Sequence, residues 1–486
     1  MNRRAFIAVT AVVGFDTVGR RWVTAADAAD WPSFPDLPPL DGTLVVDAAA
    51  RQAVAVDQGN IVHRTPGAVL KPGSVRDIGA MIQYCGRRDI PVAVRGQGHT
   101  MFGDALCAGL VIENRQLSRI HSIGPEGADV DTGVLWRDLV AAAFEQRLRP
   151  PVLTGYTELT VGGTLSVGGV GALSGGSDSG LQVDHVSRLH VVTGTGQMHD
   201  CSPEHNRDLF DVALAGLGQF GVMTRATVDL APAKERARTY LLPYRDITTA
   251  FHDLRILLDR PGLDHIILAV VPTATGGFAK AVKATTFYDP AAPPDDAVLT
   301  GGLGATPVVQ DAGYLDYAFA GDGVIDHNRA TLGWDRFVKP WFNVWLPAST
   351  VEPYVSEVVA GLTHRDVGAT GSVLLVPQRR NRLTRPFPRI PEPDGSDWVY
   401  SLNMLSAADS VDPGPDFVPD MLARNSRLFH RARDTAGGVL YPIGAVPMNE
   451  NDWRVHYGPE WHFFAAAKSR FDPHHILAPG VGIFPP

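Results

Sequence analysis

At 486 residues the chain is longer than one hydrophobic core usually supports, which sets an expectation of two domains. Apolar content of 45%, charged content of 20% and a mean hydropathy of −0.01 exclude a disordered or membrane-embedded chain. A net charge of −9 without long single-sign blocks excludes the footprint of a nucleic-acid binder, and three scattered cysteines exclude a disulfide framework or a zinc site, so no metal is expected.

Asn2-Arg3-Arg4-Ala5-Phe6-Ile7, followed by the apolar run Ala8 to Phe15, reads as a twin-arginine export signal over residues 1–28, with Ala26-Asp27-Ala28 as the cut. Such signals carry folded, cofactor-loaded proteins to the periplasm or beyond; without one the chain would be cytoplasmic. No other stretch is long and apolar enough for an integral membrane segment. Proline-rich Trp31 to Leu40 leads into the folded body. Ser74 is the expected cap of a helix whose apolar face is Ile78, Met81, Ile82 and Cys85. The alternating Ile90, Val92 and Val94 then form a strand, completing a β-α-β unit. That strand runs into Gly96 and Gly98, which lack Cβ atoms and let backbone N–H groups approach a ligand, with His99 at the tip of the turn. Cys107 is close enough in sequence to serve as a second tether or a pocket thiol, but a small buried hydrophobe is the favoured reading.

Strands are expected at 110–113, 117–120 and 128–134, and an amphipathic helix at 135–147. A second glycine block follows, with Gly155, Gly162, Gly163, Gly168, Gly169, Gly171, Gly175 and Gly176 set among threonines and serines. That composition describes backbone packed on a flat, polar, anionic ligand, and the amides of Gly162 to Thr164 are expected to open a helix facing a pyrophosphate. Val161, Leu165, Val167 and Val170 between the glycines argue for burial rather than a loose loop. Two strands at 186–194 and 197–201, a helix at 206–215 and a glycine turn feeding one more strand close this part near Leu230.

The blocks RGQGHT (Arg95 to Thr100), LTVGGTLSVGGVG (Leu159 to Gly171), VVTGTGQMHDCS (Val191 to Ser202), NRDLFDVALAGLGQFGVMTRA (Asn206 to Ala226) and FDPHHILAPGVGIF (Phe471 to Phe484) resemble those of cytokinin dehydrogenases, in the vanillyl-alcohol-oxidase and berberine-bridge group of FAD-linked oxidoreductases. The resemblance implies an α+β, two-domain fold with a PCMH-type FAD-binding domain split between residues 41–232 and 438–486. Residues 233–437 would form a substrate domain, a large antiparallel sheet backed by helices. It further implies FAD, bonded covalently to His99 through the flavin 8α-methyl, with no second tether because the second block carries no cysteine. Val94, Gly96, Gln97, Gly98, Thr100 and Asp104 match cofactor-contacting positions, as do Gly155, Thr160, Gly162, Gly163, Ser166 and Val170, then Met223, Tyr441, Ala478 and Val481. Asp104 and Val481 stand where the family carries glutamines, and Ala478 where it often carries serine.

One departure bears on chemistry. Gly155 occupies the place of the aspartate that accepts a proton from the substrate amine, and Asp264 to Ala269 holds no clear counterpart of a second acid expected early in the substrate domain. The flavin half of the reaction is implied, a hydride passing from a C–N or C–O bond of a small, largely apolar substrate, with electrons leaving to oxygen or a quinone-like acceptor. The base stays open among Tyr441, Glu158, His456 and Tyr457. Gln378 and Arg379 read as substrate contacts or as part of a solvated charge cluster with Arg380 and Arg382. An alcohol, sugar or phenol oxidase, a tailoring oxidase of secondary metabolism, and a flavoprotein that has lost turnover and binds a ligand are the alternatives.

Overall fold

The computed structural model describes residues 36–171 and 180–484 together with two short paired strands, Phe15–Asp16 and Arg21–Trp22. The rest of the export segment expected over 1–28, and Gly175 and Gly176, lie outside the described residues. The fold is α+β and is organised by three sheets. The first has four strands in the order Thr43–Val45, Ala68–Lys71, Leu110–Glu113, Val92–Arg95. Helix Val75–Gly86 makes the expected β-α-β crossover, but Leu110–Glu113 lies between the two strands it connects and runs parallel to both. Leu70, Ile78, Ile82, Val92 and Ile112 bury one face together with Ile476 and Leu477 from the far end of the chain. Ser74 takes the cap position without bonding its own helix, because its hydroxyl donates to Asp41 at 2.7 Å. The carboxylate of the fully buried Asp77 accepts instead from the N–H groups of Asp41, Gly42 and Gly73 at 2.7 to 2.8 Å, a charge-assisted arrangement stronger than a serine cap.

The second sheet is antiparallel, in the order Met198–Cys201, Val186–Thr193, Gly221–Val228, Gly127–Asp131, Ile120–Gly124. The strand expected at 117–120 begins only at Ile120, since a short turn of 3₁₀ helix at Asn114–Gln116 comes first and the Asn114 amide donates to Thr132 at 2.8 Å. Likewise the strand expected at 128–134 ends at Asp131, and the helix that follows spans Trp136–Phe144.

The third sheet has eight antiparallel strands, ordered Val308–Gly313, Arg236–Tyr244, Phe278–Tyr288, His265–Pro272, Ser372–Arg379, Trp398–Leu405, Phe342–Pro347, Val439–Leu440. Cross-strand neighbours Leu242, Val282, Leu268, Leu375, Leu402 and Val344 lie on one face, all buried, and helices Ile247–Leu258, Ala348–Ala360 and Phe417–Ala436 cover it. This is the helix-backed antiparallel sheet expected. Its opposite face carries polar side chains among apolar ones. Among the described residues no helix is long and apolar enough to cross a membrane.

Candidate active site

Strand Val92–Arg95 is hydrogen-bonded to Leu110–Glu113 on one side and to the C-terminal segment on the other, with Val92 N–H donating to Ile476 at 2.8 Å and Ala478 N–H to Val92 at 2.9 Å. The turn after it is held by its carbonyls. Gln58 and Gly59 N–H groups donate to the carbonyls of Gly98 and Thr100 at 2.8 and 3.1 Å, while the Asp57 carboxylate accepts from Thr100 Oγ1 at 2.9 Å and Gly103 N–H at 2.6 Å. The N–H groups of Gln97, Gly98, His99 and Thr100 donate to no described residue. Four consecutive amides left free in a turn whose carbonyls are tied down form a cradle for electron-rich ligand atoms. Gly98 sits at φ +68°, and a Cβ there would fall 2.2 Å from the Arg95 guanidinium, so only glycine fits.

The second block touches the first through Gly96, where a Cβ would lie 2.2 Å from Thr160 Oγ1. Thr160 caps the five-residue helix Val161–Leu165, accepting from Gly163 N–H at 3.2 Å. The pyrophosphate contact expected of this helix is corrected by the same geometry. Gly162 N–H donates to Thr132 O at 2.9 Å and Thr164 N–H to Thr160 O at 3.2 Å, so all three amides are used within the protein and the free ones belong to the first block. Ser166 Oγ also turns back, onto Gly162 O at 2.7 Å. Buried Tyr441 directs its hydroxyl to the backbone of Gly169 and Val170. Met223 is buried, its carbonyl accepting from Thr132 Oγ1 at 2.6 Å. The Gln219 amide donates to Ala478 O at 3.0 Å, Gly480 packs against the carbonyls of Gly103, Asp104 and Leu106, and Val481 is partly buried against the core. Thus the two glycine blocks and the C-terminal segment converge, with Val94 half-buried at the base and Gln97 exposed at the lip.

His99 faces the Tyr156 ring at 5.2 Å and the edge of Trp341 at 5.7 Å. Burial, then the charges of Lys339 and Arg329, push its pKa down to about 3, so the imidazole is neutral. The Tyr156 hydroxyl donates to Glu158 at 2.8 Å, and Arg329 lies 3.4 Å from Glu158 and 2.9 Å from Asp335. Arg329 rides on helix Ala320–Leu332, which is fixed by the buried Asp322 accepting from Thr157 N–H at 2.7 Å, Thr157 Oγ1 at 2.5 Å and Arg137 at 2.9 Å. Lys339 is fully buried, donates to the carbonyls of Phe337 and Gln58 at 2.9 and 3.2 Å, and is pushed down by burial to about 7. Asp104 makes no hydrogen bond to a described side chain, and burial followed by the Asp57 charge pushes it up to about 8. Sequence reasoning missed Arg329, Asp322 and Trp341.

Of the four bases weighed, Glu158 is coupled to the ring beside His99 and Tyr441 to the second block. Tyr457 and His456 belong to another assembly, in which Tyr457 stacks on Phe464 at 4.0 Å and His456 meets Tyr457 edge-on at 4.9 Å. The Cys107 thiol is buried and donates to Leu110 O at 3.2 Å, a structural role. Asp264 accepts from Phe287 N–H at 2.7 Å, and Arg379 covers the Trp398 ring. Gln378, by contrast, is fully buried, and neither of its amide atoms bonds to a described residue.

An unpaired amide row, a neutral imidazole between two aromatic rings and glycines that clear the approach suit an extended nucleotide carrying a flat ring system. Residues 66–202 match the family profile described as an FAD binding domain, and residues 307–484 match that of cytokinin dehydrogenase 1, FAD and cytokinin binding. The protein is therefore an FAD-dependent oxidoreductase. It is 35% identical to an uncharacterized oxidoreductase of the fasciation locus of Rhodococcoides fascians, over 91% of this chain and 99% of that protein. It is 33% identical to cytokinin dehydrogenase 2 of Arabidopsis thaliana, over 92% and 95% respectively, and 31% identical to cytokinin dehydrogenase 1 of Oryza sativa subsp. japonica, over 95% of each. The chain belongs to the cytokinin dehydrogenase family.

Proposed function

We propose that FAD is bonded through His99 and that the enzyme oxidises a C–N or C–O bond of a small, largely apolar molecule, passing electrons to oxygen or a quinone-like acceptor. The observation that carries this reading is the His99 imidazole at the end of four amides that no described residue engages, walled by Tyr156 and Trp341. Only a neutral ring nitrogen has the lone pair needed for a bond to carbon. The amides of Gln97 to Thr100 would hold the cofactor, with Gly96, Thr160, Val170, Tyr441 and Ala478 packed around it. When bound, FAD supplies a two-electron acceptor for hydride. Gly155 cannot take the accompanying proton. Glu158, linked to Tyr156 and held by Arg329, is the acceptor this arrangement favours.

Acid precipitation of the purified protein tests the bond: yellow colour stays with the polypeptide, and in His99→Ala it passes to the supernatant. Colour that remains in that variant places the tether elsewhere. Anaerobic mixing with a panel of amines and alcohols tests turnover. At least one should bleach the flavin band, with isopentenyladenine a poor substrate because of Gly155; if none bleaches it, a ligand-binding flavoprotein becomes the better reading. The twin-arginine motif at Arg3-Arg4 supports export, which fusion of residues 1–28 to a reporter active only outside the cytoplasm would test.

A further inference from the structure

Side-chain alternation on the eight-stranded sheet turns Asn343, Trp345, Gln378, His265, Ile267 and Lys283 away from its helices. Trp345 stands 5.9 Å from Tyr441, so this face looks toward the second glycine block. Three of these side chains are fully buried yet hold polar atoms that no described residue satisfies: Asn343 Oδ1, both amide atoms of Gln378, and His265 Nε2. Buried donors and acceptors are rarely left open unless a ligand or water completes them.

The charge on this wall has one sign. Lys283 lies directly across from Ile267 on the neighbouring strand, and its Nζ is 5.0 Å from the centre of the Tyr317 ring. The Tyr317 hydroxyl is 3.0 Å from His265 Nδ1, so lysine and histidine converge on one tyrosine. We assign the hydroxyl as the donor to Nδ1, which places the imidazole proton on Nε2 as a second donor beside the ammonium. No described carboxylate pairs with Lys283, and burial alone holds its ammonium below the ordinary value. Asp264 is engaged with Phe287 N–H, and neither Gly155 nor Ile267 supplies an acid. A wall of this kind repels nothing negative and has no partner for a cationic amine.

We propose that the substrate carries a carboxylate at the end away from the oxidised bond, seated between Lys283 and His265 Nε2–H with the Gln378 amide on the adjoining strand. The proposal deepens the function argued above and relies on it for the flavin that reports binding. The test uses the yellow holoprotein and follows the flavin absorption during titration with indole-3-acetate, a planar carboxylate, and with indole-3-acetamide, its neutral counterpart of equal size. The acid should bind at least tenfold more tightly. Lys283→Met should abolish the preference and Lys283→Arg should keep it. Equal binding, tighter binding of the amide, no spectral response to either probe, or a preference that survives Lys283→Met overturns the proposal. If Lys283→Met does not fold, the acid-to-amide ratio of the native enzyme and Lys283→Gln decides. A preparation without flavin counts against the cofactor reading instead, and calorimetry then compares the same two probes.

Discussion

Substituting alanine for Gly96 tests whether the two glycine blocks really form one site. The added Cβ would stand 2.2 Å from Thr160 Oγ1 and 3.2 Å from Thr160 Cβ, where ordinary contact begins at 3.4 Å. Thr160 has two ways to yield. Rotating its hydroxyl away breaks the bond to Gly163 N–H, a lost cap costing about 1 kcal/mol. Keeping the cap forces the blocks apart, and overpacking of this kind costs about 1–3 kcal/mol. If that cost falls on the cofactor-bound state, non-covalent FAD affinity drops by roughly 5- to 150-fold, and less of the purified protein acquires its flavin. The assay is the ratio of flavin to protein absorbance in Gly96→Ala, read with its melting temperature. Adding Thr160→Ala removes the closest atom and should restore part of the flavin content despite the missing cap. A Gly96→Ala protein with undiminished flavin and unchanged melting would refute the idea that Gly96 and Thr160 close a common cradle.

Two further outcomes follow from the buried charges. Lys468 and Asp472 form a fully buried pair at 2.8 Å, with Lys468 also donating to Gln219 and Leu477, so Lys468→Met leaves an uncompensated carboxylate and should destabilise by about 3–5 kcal/mol; thermal melting should show that adding Asp472→Asn recovers part of the loss. Asp104 is pushed above the usual carboxylate value in the folded protein, so the folded state binds the proton more tightly than the unfolded one. Stability should therefore fall as pH rises from about 4 to about 8; Asp104→Asn should melt with a shallower dependence across that window, and parallel curves would show that the carboxyl is not the group responsible.

Local pattern carried the first cradle: alternating Ile90, Val92 and Val94, then Gly96 and Gly98, describe a strand and a turn with little need of tertiary information. The same glycine logic misassigned the free amides, because Gly162 to Thr164 are satisfied by Thr132 and by Thr160, and only the folded chain brings Thr132 there. The C-terminal segment was legible through its resemblance alone, since nothing in Ile476 to Val481 announces a neighbour at Val92. Helix Ala320–Leu332 was not legible at all. It mixes Asp322, Asp326, His327 and Arg329 with few apolar residues, so it has no clear buried stripe, and its functional face is defined by Thr157 and Glu158 across the site. Lys283 was silent for a related reason: which face of a strand looks at a ligand depends on register with strands far away in sequence.

The hydrogen bonds between Val92 and the segment Ile476 to Ala478 have a consequence for biosynthesis. At ordinary elongation rates, roughly 20 to 80 s separate the emergence of these partners from the ribosome. Throughout that interval strand Val92–Arg95, which leads to His99, lacks the backbone partners that Ile476 and Ala478 supply in the folded chain. The turn that carries His99 therefore gains its last β-neighbour only when the segment Ile476 to Ala478 arrives, so completion of this edge waits on a part of the chain made far later.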